Sequence, residues 1–91
     1  MYEVKPSSRF KKDLKVIARR GYNIKLIEDV IIELAKGKKL SSKYKDHAMS
    51  GNWIGFRNCH ITPDWVLLYK IEKNSLILVL SRTGTHSDLE I

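Results

Sequence analysis

Cysteine is almost absent from this chain. Cys59 is the only one among 91 residues, so no disulfide can close within it. A reducing setting, the cytoplasm, is the expectation. A nucleophilic role for Cys59 needs a base beside it, and its neighbour His60 projects to the opposite face of a strand, so the thiol is expected to be buried and inert. Long hydrophobic runs are lacking too. A run such as Leu76–Leu80 is far too short to span a bilayer, and no membrane association is expected. The opening MYEVKPSSRFKK has no apolar segment of the kind that directs export, so the chain is expected to be soluble and unexported. Low-complexity sequence is missing, which argues against disorder. Acidic residues are scarce: 10 Asp and Glu stand against 17 Lys and Arg, for a net charge of +7. The imbalance lies in one half. Residues 1–45 hold 13 basic and 5 acidic residues, and residues 46–91 hold 4 and 5. So uneven a distribution suits a polyanionic partner, nucleic acid or an acidic protein.

What is present is periodic, and the length suits one domain spanning residues 1–91. Tyr2-Glu3-Val4 reads as a first strand that Pro6 ends. Ser7 or Ser8 can cap a helix in which Phe10, Leu14, Ile17 and Ala18 make one apolar stripe, and Gly21 stops it. Asn23 can cap a second helix with Leu26, Ile27, Val30, Ile31 and Leu34 on its buried face, closed by Gly37. The short link predicts an antiparallel helical hairpin. Residues 38–52 show no sustained period and predict an irregular basic loop. Three strands follow, over about 53–61, 65–72 and 75–83, the first two joined by a Thr62-Pro63-Asp64 turn and the last two by a short turn at Lys73-Asn74. The apolar run of the last strand predicts a central strand covered on both faces. Residues 85–91 read as a tail or a turn of helix. The order β-α-α-β-β-β predicts an α+β domain with a two-helix hairpin packed on a mainly antiparallel sheet.

Three histidines, His47, His60 and His86, sit where strands or their flanking loops can aim them at a common point, with Asp64 and Arg82 close in sequence. Imidazoles, a carboxylate and a fixed cation are the groups that phosphodiester cleavage uses when no metal takes part. Histidine suits proton transfer because its ordinary pKa of about 6.5 lies near working pH.

The second half carries Tyr44-Lys45-Asp46-His47, Gly51-Asn52-Trp53-Ile54-Gly55-Phe56-Arg57, His60-Ile61-Thr62-Pro63-Asp64-Trp65 and Arg82-Thr83-Gly84-Thr85-His86. In these stretches it resembles the YafQ group of the RelE/ParE toxin superfamily; the helical half matches only in pattern. The resemblance implies a RelE-like fold and the toxin of a type II toxin–antitoxin pair. It implies a ribosome-dependent endoribonuclease that cuts mRNA in the decoding site through the RNA 2′-OH, without metal or cofactor. His47, His60, Asp64 and His86 match the family's catalytic set, and Arg82 matches a phosphate-contacting position. His47 is assigned as general base and His86 as general acid, with His60 and Asp64 orienting the reactive groups or sharing in proton transfer. The tail Asp88-Leu89-Glu90-Ile91 lacks the aromatic residue that a family member carries near the position of Glu90.

Around that set, Lys38, Lys39, Lys43 and Lys45 are candidates to grip ribosomal RNA phosphates, and Trp65, like Trp53, to stack on bases. The implied partners are a cognate antitoxin, the ribosome with its mRNA, and operator DNA bound as the toxin–antitoxin complex. Three other readings compete. One is a same-fold ParE-type gyrase poison without ribonuclease activity. Another is a metal-dependent hydrolase, although no HExxH is present and the His60–Asp64 spacing is weak as a metal motif. The last is a non-enzymatic nucleic-acid-binding module.

Overall fold

Pro6 ends the first strand and Ser7 begins the first helix, so one dipeptide sets the angle between sheet and helix layer. The computed structural model describes residues 1–91. Strand β1 (Glu3–Pro6) leads into α1 (Ser8–Arg19), where the Ser7 side chain accepts the Phe10 N–H at 2.9 Å. That bond satisfies one of the amides a helix start leaves unpaired. The same hydroxyl donates to the Ser81 carbonyl at 2.8 Å, pinning the helix start to the last strand. Gly21, with φ +86°, turns the chain out of α1. The Asn23 side chain then accepts from the Lys25 N–H and caps α2 (Ile24–Ala35). Both helices fall where periodicity and caps predict them, but Ala18 and Leu26, expected on their apolar faces, are exposed.

The rest of the chain forms β2 (His47–Ala48), β3 (Arg57–Thr62), β4 (Trp65–Glu72), β5 (Ile77–Thr85) and a closing turn of helix, α3 (His86–Leu89). The sheet order is β1-β5-β4-β3-β2, with β1 parallel to β5 and every other pair antiparallel. The α+β architecture holds, with a fifth strand added at the edge.

Several boundaries depart from expectation. Residues 38–52 are not wholly irregular: two 3-10 turns, Ser42–Tyr44 and Gly51–Trp53, flank the two-residue strand β2. The strand expected from residue 53 starts only at Arg57, because Gly51 and Gly55 take φ values of +63° and +92° and the chain turns there. The last hairpin turns over Lys73–Leu76, with Leu76 at φ +56°, so β5 begins at Ile77 and runs on to Thr85. The doubly covered strand is β4, not β5. Trp65 through Tyr69 are all buried, whereas β5 alternates buried and half-buried residues. β4 sits in the middle of five strands, which explains the exchange.

Alternation along β4 separates two apolar clusters. Trp65, Leu67 and Tyr69 face the helices and join Phe10, Ile17, Ile27, Val30 and Leu34 in the main core. Complete burial of a Leu such as Leu67 contributes about 1.5–3 kcal/mol. Val66 and Leu68 face away, and their apolar neighbours there are Leu89, Met49 and Trp53. Apart from the single turn α3, no helix covers this second face, so polar residues from neighbouring strands are carried on it.

Candidate active site

Register decides which side chains share that second face. Residues directly opposite one another in a sheet project to the same side. His60 lies opposite Val66, and Val66 opposite Gly84. His47 lies opposite Asn58, which continues to Leu68 and then Arg82. His47 and His60 therefore share the face away from the helices. The Pro63–Asp64 turn ends where Trp65 pairs with Thr85, so Asp64 comes beside the first residue of α3. That residue is His86. Its ring meets His60 edge-on with centroids 5.2 Å apart, and its Nδ1 lies 3.2 Å from Asp64 Oδ1. The four acid–base residues come from four separate elements and meet in one region of surface.

Hydrogen bonds orient two of the rings. His47 Nδ1 lies 2.8 Å from the Lys45 carbonyl, which can only accept. The proton of neutral His47 is thus held on Nδ1, and Nε2 presents a lone pair. Asp64 likewise engages Nδ1 of His86, leaving Nε2 as that ring's uncommitted nitrogen. His60 differs. Burial, and then the neighbouring positive charges of His86, Lys45 and His47, hold its pKa below the ordinary imidazole value. The same two causes favour its uncharged form. Burial pushes the Cys59 thiol up to about 12, and its side chain lies in the main core. This agrees with an inert cysteine.

Other predicted residues stand elsewhere. Trp65 is a correction: it is 0% exposed, its ring packs edge-on against Tyr22, and its Nε1 donates to Thr83 Oγ1 at 2.8 Å. A ring enclosed on the helix side of the sheet cannot stack on RNA. The half-exposed tryptophan on the histidine face is Trp53, set edge-on to Phe56. Arg82 shares the histidine face by register, but its Nε and Nη2 donate to Asp13 at 2.7 and 3.1 Å. Only Nη1 stays outside that pair. The lysines divide into two groups. Lys43 and Lys45 line a groove of about 440 Å3 that reaches His60, with Tyr44 in its wall. Lys38 and Lys39 line a separate recess with Asp46, Arg57 and Tyr69.

Sequence reasoning passed over three residues. Asp46 accepts from Tyr69 Oη at 2.5 Å and from Arg57 Nε and Nη2, and so ties down the residue before His47. Asn58, 3% exposed, carries a buried amide oxygen with no protein partner in the row that holds His47. Strand alternation from His60 would have put Asn58 on this face. Asp13, which engages Arg82, had only a weak signal: it lies four residues beyond Arg9 on one helix.

The sequence pattern of a family described as bacterial toxin of type II toxin-antitoxin system, YafQ, matches residues 2–91. An Escherichia coli K12 protein named mRNA interferase toxin YafQ is 33% identical over 88 residues, spanning 96% of this chain and 94% of its own. A metal-bound toxin from Helicobacter pylori, known from its crystal structure, is 42% identical and superposes with a TM-score of 0.92 over 98% of this chain and 99% of that one. A chain of the E. coli DinJ–YafQ complex superposes with a TM-score of 0.89 at 32% identity, over 98% of each.

Proposed function

The chain belongs to the YafQ family of bacterial toxins of type II toxin–antitoxin systems, and from that premise we propose that it is an mRNA endoribonuclease acting on the translating ribosome through His47, His60, Asp64 and His86. The observation that carries this reading is the meeting of His86 with both Asp64 and His60, on the face that also bears His47. This convergence separates it from a same-fold gyrase poison.

RNA supplies its own nucleophile. The lone pair on His47 Nε2 takes the 2′-OH proton as the 2′-oxygen attacks phosphorus. The bond from phosphorus to the 5′-oxygen breaks, and His86 Nε2 delivers a proton to that leaving oxygen. The products are a 2′,3′-cyclic phosphate and a 5′-hydroxyl. Asp64 holds the His86 ring in the required orientation. His60, whose uncharged form burial favours, lies edge-on to His86 and serves as a hydrogen-bonding partner for the phosphate or the 2′-OH. Arg82 offers the free Nη1 edge of its guanidinium to the developing charge, while Asp13 holds the other edge. Lys43 and Lys45 draw the RNA backbone along the groove beside His60.

As a member of this family the chain is the toxin half of a pair, and its partner is a cognate antitoxin, as in the DinJ–YafQ complex. On the same reading, the pair formed by this chain and its antitoxin binds operator DNA, mainly through the antitoxin. No helix is long and apolar enough to cross a membrane, and an activity on ribosomes belongs in the cytoplasm.

The test adds the protein to ribosomes translating a defined message and maps RNA ends. The wild type yields cuts with 5′-hydroxyl ends, unchanged by a chelator selective for transition metals over the Mg2+ that ribosomes need, and folded His86→Ala yields none. Full activity in folded His86→Ala defeats the assignment of His86. Loss of cutting with chelator moves the reading to a metal-dependent hydrolase.

A further inference from the structure

Helix α3 has four residues, too few to hold a helical shape unaided. His86 is its first residue, so whatever holds α3 holds His86. Two local devices contribute. Thr85 caps the helix by accepting the Asp88 N–H, while the Asp88 carboxylate accepts the Thr85 N–H at 2.9 Å. The Asp88 side chain folds back over Gly84, where a Cβ would lie 3.0 Å from Asp88 Cβ and 3.1 Å from Oδ2. Strand and helix turn are thus closed on each other through one carboxylate.

That carboxylate has a third partner, from a distant element. Arg20, at the C-terminal end of α1, donates Nη1 to Asp88 Oδ2 at 2.7 Å and Nη2 to Oδ1 at 3.2 Å. Two turns earlier on the same helix, Asp13 accepts two bonds from Arg82 and one from the Thr83 N–H. The two contacts have reversed polarity: an anion of α1 meets a cation of β5, and a cation of α1 meets an anion of α3. Docking α1 the other way round would set Asp13 against Asp88 and Arg20 against Arg82. The charges of the seam therefore disfavour the reversed orientation.

We propose that the Arg20–Asp88 ion pair is a positioning device for His86, with α1 gripping α3 and α3 presenting the imidazole to Asp64 and His60. The inference rests on the nuclease reading for what His86 does, but not for where the ring sits. Both partners of the pair are partly exposed, with side chains 44% and 30% accessible. Pairs of this kind add little to stability, so removing it alters the placement of α3 more than the fold. Arg20 and Asp88 are positioning residues and touch no substrate.

The test compares wild type with Arg20→Gln, Arg20→Lys and Asp88→Asn. Folding is checked by thermal denaturation. Cleavage is read as a single-turnover rate on translating ribosomes over a range of toxin concentrations, and the imidazole signals of His86 and His47 are followed by NMR. In Arg20→Gln and Asp88→Asn the saturating rate falls about 10–100-fold, the size expected of a small misplacement of a reacting group. The half-saturating concentration changes less than about twofold, because ground-state binding is untouched. His86 signals shift and those of His47 stay, and Arg20→Lys restores part of the rate. An unchanged rate and unchanged His86 signals in folded Arg20→Gln overturn the proposal, as does a variant that raises only the half-saturating concentration. Should the wild type itself fail to cut, the nuclease reading falls, and the His86 signals alone then decide whether the pair positions the ring. If Arg20→Gln does not fold, Asp88→Asn and Arg20→Lys carry the same comparison.

Discussion

At the scale of single residues, chemistry depends on which nitrogen of each imidazole is free. His47 and His86 both commit Nδ1, one to a carbonyl and one to a carboxylate, which leaves Nε2 of each ring for chemistry. His86→Gln keeps the bulk but cannot deliver a proton, so cleavage falls by about 10²–10⁴-fold while the fold stays intact; end-mapping on ribosomes with a parallel circular dichroism spectrum checks both. His60 makes a prediction about stability. Its pKa lies below the ordinary imidazole value in the folded protein, so in the window beneath that value the unfolded chain binds more protons. Stability then rises with pH through the window and falls on acidification. His60→Gln should flatten this trend in urea denaturation midpoints taken across the window. An unaltered slope in the variant would remove His60 as its cause. The catalytic candidates were visible as residue types in the sequence. The mistake over Trp65 arose because an aromatic residue beside a strand reads alike whether its face is wet or enclosed. Only the Tyr22 ring against it, from the other half of the chain, decides the matter.

At the scale of elements, the segment 38–52 is held by few bonds to the rest of the fold, and Asp46 supplies three of them. The adjacent strand β2 pairs through only two residues, His47 and Ala48. Asp46→Ala leaves the Tyr69 hydroxyl, on a buried residue, without its acceptor, which costs about 1–3 kcal/mol. Tyr69→Phe removes the donor instead and costs less, about 0.5–1.5 kcal/mol. Urea unfolding of the two variants gives the order, and equal losses would argue against this account. Asp46→Ala should also slow cleavage more than Tyr69→Phe does, since β2 carries His47. The helices were readable from the sequence down to their caps, because each cap touches a residue within three positions. β2 was not. A two-residue strand has no period, and its existence depends on pairing with residues about ten positions away across two turns.

For the whole molecule, charge is the dominant quantity. A chain of net charge +7 that neutralises RNA phosphates releases counterions, so ribosome binding should weaken steeply with salt. Replacing Lys43 and Lys45 with Gln should lower affinity and reduce the slope of log K against log salt by about 0.7 for each phosphate left without its lysine. An unchanged slope would mean that these lysines are merely solvated. Lys38 and Lys39 line a different recess, so the same replacement there should matter less for cutting at His60's groove. The basic half also offers an attractive surface to an acidic antitoxin segment, an effect expected mainly on the rate of association.

The sequence alone determined the α+β class, the capped helical hairpin, β4, the Pro63–Asp64 turn and the stock of imidazoles, because each of these rests on residues within a turn or a strand of one another. Tertiary structure alone decided that His47 and His60 share a face, that His86 meets Asp64, and that Arg82 is partly committed to Asp13. The first depends on strand register, and the other two on strand pairing and helix docking between residues 22 and 69 positions apart. A slip of one residue in a strand sends its side chains to the opposite face, and no local pattern records whether that slip has occurred.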